Sequence, residues 1–290
     1  MPALRVFQSL WAMGCVPSRD AQWTLEEQLG RIAAAGFDGV AIDDDHPSLE
    51  EAVCAARALG LEWSASVFPR STEQLVAGVE RLTPLGPAHL NVQPDVRPAC
   101  LDEAVALFGA WQRVFASAPY PVSVETHRGR ATTDLPFTLE LLDRLPGLEL
   151  TADVSHYVVG QEMELPVLPA YQRQIRAILD RARAFHGRVA SCEQVQVPFS
   201  LPHNEPWLAL FLGWWKVGFR SWLDRFGDED ACLFVVELGP PPYAITGSGE
   251  IELSDRWQES LQLLAAVREC WRAVAPGEAT AVRRPASSEA

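Results

Sequence analysis

The sequence has no run of roughly 18 apolar residues that could cross a bilayer, no Cys-x-x-Cys pair and no block of Lys or Arg. Each absence removes a class of function. With no apolar span, and no basic stretch leading into an apolar one after Met1-Pro2-Ala3-Leu4-Arg5, the chain reads as soluble, cytoplasmic and untargeted, with no membrane partner. The six cysteines, at 15, 54, 100, 192, 232 and 270, are scattered, which gives neither a zinc clip nor a disulfide framework. A net charge of −14 without a basic patch argues against nucleic acid, whose phosphates need a cationic track. What is abundant is apolar surface: 48% of the 290 residues are hydrophobic, ample for the core of one α/β barrel.

Short apolar or β-branched runs alternate with longer segments of helical period, the pattern of repeated βα units on a parallel sheet. The runs are Leu4–Ser9, Gly39–Ile42, Glu62–Val67, His89–Val92, Val122–Glu125, Leu148–Asp153, Phe185–Ala190 and Leu233–Glu237. Thr24 and Ser48 each precede a glutamate by three residues and so predict capping boxes, while Gly36 and Gly60 fall where a helix would stop. Eight such units predict a single-domain (β/α)8 TIM barrel over residues 1–275, with an aperiodic tail over 276–290 that is rich in Ala, Ser, Pro and charge. A doubly wound open sheet is the alternative.

Acidic and imidazole side chains stand where the later runs end: Glu125, Asp153-Val154-Ser155-His156, His186 and Glu237. Alternation along a strand puts Val122 and Val124 on the helix side and Ser123 and Glu125 on the barrel axis; Val235 and Glu237 follow the same rule. Carboxylates facing a barrel interior are costly unless paired, hydrogen-bonded or bound to a cation. Converging from four successive strands, Glu125, Asp153, His186 and Glu237 predict one divalent metal. Three carboxylates and one imidazole favour Mn²⁺ or Mg²⁺, with Co²⁺ and Zn²⁺ compatible with the nitrogen ligand. Singly, each residue has a structural alternative: a helix cap or ion pair for the acids, a satisfied core position for His186, and an ion pair to an inward carboxylate for Arg188.

Other positions carry weaker signals. His127 lies two residues after Glu125 and so either lines the same pocket or bonds within its loop. Asp43-Asp44-Asp45-His46 has the composition of a metal cluster, but consecutive acids diverge and Pro47-Ser48 follows, so it reads first as a loop leading into a helix cap. His89 begins the fourth run, at the wrong end for catalysis, and His203 lies in a Pro-rich loop; both read as structural or solvated. Trp11 and Phe68 could wall a sugar ring or simply pack in the core. The segment Trp207–Trp222 is apolar on several sides, which fits a helix packed on the barrel or a contact between subunits of a homodimer or larger homo-oligomer.

Taken together, Glu125, the Asp153-x-x-His156 motif, His186 with Arg188, and Glu237 resemble the xylose isomerase-like superfamily of sugar phosphate isomerases and epimerases. Phe185-His186-Gly187-Arg188-Val189, Gln194-Val195-Gln196-Val197-Pro198 and Glu237-Leu238-Gly239-Pro240-Pro241-Pro242-Tyr243 are similar to segments of one bacterial branch. The resemblance implies that Glu125, Asp153, His186 and Glu237 hold the metal, that Glu125 and Glu237 also move protons, and that His156 and Arg188 hold substrate oxygens. It further implies a sugar-like small-molecule substrate and an enediolate route for isomerisation or epimerisation. A lyase or dehydratase acting on a keto-inositol or a 3-keto-glycoside is the enzymatic alternative, and a degenerate binding barrel the non-enzymatic one. Where some epimerases of this group carry a second glutamate, this chain has Arg128-Gly129-Arg130, whose guanidinium groups could instead meet an anionic substrate group.

Overall fold

Alternating β-branched and aromatic residues bury both faces of every strand, as a parallel sheet covered by helices requires. In the computed structural model, which describes residues 2–275, the strands are β1 (Ala3–Ser9), β2 (Gly39–Asp43), β3 (Glu62–Val67), β4 (Leu90–Val92), β5 (Val122–Glu125), β6 (Leu150–Ala152), β7 (Ala182–Gly187) and β8 (Ala231–Val236). They pair in parallel and in chain order, and β8 returns to β1, closing the barrel. The tail expected over 276–290 lies outside the described residues.

The helices are α1 (Leu25–Ala34), α2 (Leu49–Ala58), α3 (Thr72–Leu82), α4 (Leu101–Phe115), α5 (Leu135–Arg144), the short α6 (Ser155–Gly160), α7 (Pro169–Leu179), α8 (Glu205–Arg225) and α9 (Arg256–Val274). Thr24 forms the full capping box with Glu27. Ser48 does not: its side chain makes no cap bond, and its backbone N–H donates instead to His46 Nδ1, which competes for the same turn. Gly36 and Gly60 take the left-handed conformation that ends α1 and α2.

Three strands differ from the sequence reading by two residues or more at an end, and β1, β2 and β4 by one. β7 begins at Ala182 and stops at Gly187, because Arg183, unpromising for a strand, is accommodated by Asp230, Glu149 and the Phe226 ring. β6 is shortened to three residues by a register shift opposite β7. β8 starts two residues early and stops at Val236, so that Glu237 is the first residue past the strand.

The main core lies between barrel and helices, and a smaller cluster of Phe7, Ala41, Ala184, Leu233 and Val235 fills the barrel itself. The aromatic helix α8 packs on the barrel: Trp215 meets Phe234 edge-on at 5.1 Å, and Phe219 meets Phe185 at 5.1 Å. Gly39 shows how tight the interior is. A Cβ there would lie 2.6 Å from the Glu62 carbonyl oxygen and equally close to the Phe7 ring. Backbone cannot retreat as a side chain can, so Gly39→Ala is expected to destabilise the protein by about 1–3 kcal/mol, read from its urea midpoint.

Candidate metal centre

The β5–β8 half of the barrel mouth gathers the titratable groups. Ligand atoms of Glu125, Asp153, His186 and Glu237 all lie within 4.8 Å of one another. Period-2 alternation delivers them: Ser123 and Glu125 share the inner face of β5, Thr151 and Asp153 that of β6, and Ala184, His186 and Arg188 follow one another along β7 and its exit. Further hydrogen bonds lock the strand ends. Thr126 Oγ1 accepts from the Asp153 N–H and donates to the Asp153 carbonyl, both at 2.9 Å, while Thr132 Oγ1 donates to the Glu125 carbonyl at 2.7 Å.

Each carboxylate is held differently. Glu125, 1% exposed, accepts from Asn91 Nδ2 at 2.6 Å on Oε2 and from Gln93 Nε2 on both oxygens, at 3.2 and 3.3 Å, and turns Oε1 toward His186 at 3.7 Å. Asp153, wholly buried, uses Oδ1 to accept from the Ser155 N–H and hydroxyl at the start of α6, and turns Oδ2 toward Arg188 Nε at 3.3 Å. Glu237 Oε2 lies 2.9 Å from both His186 Nδ1 and Arg188 Nη2. The His186–Glu237 approach is short but off the angle of a hydrogen bond, so both buried atoms are left without a hydrogen-bond partner. Two such orphans facing each other inside a three-carboxylate cluster are what a cation would satisfy, and the donor set fits a divalent ion.

The electrostatics follow from burial and proximity. Burial raises the Glu125 and Asp153 carboxyls, the pull of His186 on the first and Arg188 on the second notwithstanding. Burial would raise Glu237 too, but His186 and Arg188 overcome it and hold it down at about 2. For His186, burial opposes protonation and is outweighed by Glu237 and Glu125, which lift it to about 9.

The expected contacts at the rim are partly regrouped. His156 is 1% exposed and lies against His127, ring centroids 3.9 Å apart; burial pushes both imidazoles below their usual range, His127 to about 4. Arg188 takes the ion-pair alternative, between Asp153 and Glu237, and also donates to Gln196 Oε1 at 3.0 Å. Trp11, in a single 3₁₀ turn after β1, packs edge-on against Tyr243 at 5.2 Å, not against Phe68. Arg128 lies 5.1 Å over the same Tyr243 ring, whereas Arg130 is tied to Asp95 and donates to Gln93 Oε1, so only Arg128 of that pair faces outward unpaired among the described residues. His89 is buried at the barrel floor against Ser123, and His203 is exposed, as read from the sequence.

Five participants were set aside or given no role by the sequence reading. Asn91 and Gln93 hold Glu125; Gln196 ties Arg188 to the Gly239 backbone; Tyr243 forms the aromatic rim; Asp43 reaches the site from β2. Asn91 and Asp43 were legible by parity, since Leu90 and Val92 point outward around the first and Ala41 shares the inner face of the second. Tyr243 had no signal, because it stands on a loop. Arg256 closes the opposite side of the mouth. It donates to the carbonyls of Ala12 and Leu238 through Nη1 and of Gly14 through Nη2, pinning the loops after β1 and β8 together.

The Asp43 carboxyl has no hydrogen-bond or ion-pair partner among the described residues; burial and the neighbouring Glu237, Asp45 and Glu125 raise it from 3.8 to about 7. An acid whose folded value is raised destabilises the fold as pH climbs from its unfolded value through its folded one. Asp43→Asn is therefore expected to stabilise the metal-free protein at pH 8, by about 1–2 kcal/mol once partial solvent screening is allowed for, and to have no effect at pH 3. Thermal unfolding at the two pH values checks this.

With its eight parallel strands closed in chain order and the acidic cluster at its mouth, the fold is a (β/α)8 TIM barrel. Among solved structures the chain is similar to a D-psicose 3-epimerase determined in the presence of D-fructose (TM-score 0.59, 11% identity, covering 92% of this chain and 99% of that one). It is also similar to a probable 3-DHS dehydratase from Bacillus anthracis (TM-score 0.57, 14% identity, 90% and 99% covered) and a sugar phosphate isomerase/epimerase from Parabacteroides distasonis (TM-score 0.57, 13% identity, 94% and 96% covered). At such identities the likeness establishes the fold. No protein-family model matches the sequence, and no curated protein matches it. No helix among the described residues is long and apolar enough to cross a membrane.

Proposed function

We propose that this protein is a divalent-metal-dependent isomerase or epimerase that acts on a keto-sugar or a related hydroxy-carbonyl compound through an enediolate. The observation that carries the reading is the convergence of Glu125, Asp153, His186 and Glu237, from four consecutive strands, on one point at the C-terminal end of the barrel. These four residues would hold the metal, with Mn²⁺ first among the candidates and Mg²⁺, Co²⁺ or Zn²⁺ also suited to the donor set. When bound, the ion supplies Lewis-acid stabilisation of negative charge developing on the substrate carbonyl oxygen.

The chain's own residues do the rest. Glu125 and Glu237 flank the centre from β5 and β8; one removes the proton beside the carbonyl, and the other returns a proton either to the same carbon from its opposite face, giving the epimer, or to the neighbouring carbon, giving the isomer. Asp153 acts as a ligand only, its other oxygen being committed to Ser155 at the start of α6. His156 and His127 present N–H groups or lone pairs to substrate oxygens, Arg188 holds Asp153 and Glu237 in place, and Trp11 with Tyr243 offers the sugar an apolar face. A small-molecule sugar as partner is consistent with the epimerase neighbour determined with D-fructose, and cytoplasmic action with the scattered thiols.

The test is solvent-deuterium incorporation, followed by NMR, in metal-loaded protein supplied with D-fructose, D-psicose, keto-pentoses and keto-inositols. Exchange with recovery of an isomer supports the proposal. A dehydrated or deglycosylated product would make the protein a lyase built on the same centre. A protein that takes up no divalent metal after supplementation would be a binding barrel, and the proposal would fail.

A further inference from the structure

We propose that Glu125, His127 and His156 form a second cation site beside the four-residue centre, with Glu125 common to both. One ligand atom from each of these three residues lies within 4.8 Å of the others. The independent observation is His156: it is 1% exposed, and neither Nδ1 nor Nε2 has a hydrogen-bond partner. A buried imidazole with both nitrogens unmet is costly, and the Asp153 Oδ2 that its Nε2 faces is 3.5 Å away, without the geometry of a hydrogen bond.

His127 is prepared as a ligand from its other side. Its Nδ1 lies 2.6 Å from the Arg128 carbonyl, which can only accept, so Nδ1 carries the proton and the lone pair is on Nε2. A backbone carbonyl that fixes tautomer and ring orientation is the usual outer support of a metal-bound histidine. Nε2 faces the Tyr243 hydroxyl at 3.5 Å, too far to satisfy it fully.

Two imidazoles and one carboxylate make a nitrogen-rich set, unlike the oxygen-rich centre next to it, and suit Zn²⁺ or Co²⁺. Three protein ligands leave a position for an oxygen of water or substrate. In this arrangement the two histidines would meet the substrate's second oxygen through a cation. The inference shares Glu125 with the proposed function but does not depend on Asp153, His186 or Glu237.

Zinc titration of chelator-stripped protein, with bound metal counted by elemental analysis, separates the two. The expected result is two equivalents in the wild type, one in His156→Asn and in His127→Asn, and one in Asp153→Asn, with folding checked by circular dichroism. One equivalent in the wild type that both histidine variants retain, or two that they leave at two, would overturn the second site alone. Loss of the wild type's single equivalent in the histidine variants but not in Asp153→Asn would support it and remove the four-residue centre; no bound zinc at all would remove both. If a histidine variant does not fold, imidazole NMR of the ¹⁵N-labelled wild type decides. The His127 and His156 resonances must shift on adding zinc, and their indifference would overturn the proposal.

Discussion

Replacing Arg188 with alanine is expected to cost the metal-free protein about 3–5 kcal/mol of stability, measured by denaturant unfolding, and added Mn²⁺ is expected to return a large part of that loss. The guanidinium is 2% exposed and lies within 3.3 Å of both Asp153 and Glu237. Without it, two buried carboxylates face each other and Glu125 with only His186 as counter-charge. A divalent ion bound by those same carboxylates would supply the missing positive charge, so the variant should respond to metal more strongly than the wild type does. Equal responses would mean that metal does not bind where Asp153 and Glu237 meet. Arg188→Lys would restore charge but not the fork that reaches Asp153, Glu237 and Gln196 together, and should recover only part of the stability.

Glu237→Gln is expected to lower proton exchange at the substrate by about 10²–10⁴-fold, measured by deuterium uptake with metal content determined on the same sample. Glutamine keeps the shape and one ligand oxygen but cannot accept a proton. Glu125→Gln should behave similarly if the two share the work. The Glu237 change also has a signature in the metal-free protein. His186, lifted to about 9, gives stability that is complete below its unfolded value near 6.5 and is lost as pH rises through 9. Glu237 is the principal partner sustaining that lift. The variant should accordingly lose the decline in stability between pH 6.5 and 9 that the wild type shows, and an unchanged pH profile would contradict the ion pair.

The barrel was legible because its period is carried by residues whose preferences agree with their positions: valines on strands, Thr24 at a cap, Gly36 and Gly60 past helix ends. The four candidate ligands were legible for the same reason, since parity fixes a direction even when a boundary is off by a residue or three, as at β7 and β8. Arg183 hid the start of β7, because its charge is balanced by residues distant in sequence. The acidic run at 43–46 was set aside on the ground that neighbours diverge. They do, and that divergence is why Asp43 alone points inward while Asp44 pairs with Arg81. Tyr243 and Gln196 act from loops, where no periodicity tells which way a side chain faces.

Arg256 divides the mouth of the barrel into a part that can change and a part that cannot. On the β5–β8 side every functional side chain is fixed by strand ends whose register the whole barrel enforces. On the other side the wall made by Trp11 and Tyr243 belongs to two loops, after β1 and β8, held together by one guanidinium on four backbone and side-chain partners. Insertions or substitutions in those loops can reshape that aromatic wall while the acidic cluster keeps its geometry. Under the proposed function, substrate preference would be free to drift at the seam where the chain's first and last strands meet, without passing through an inactive intermediate.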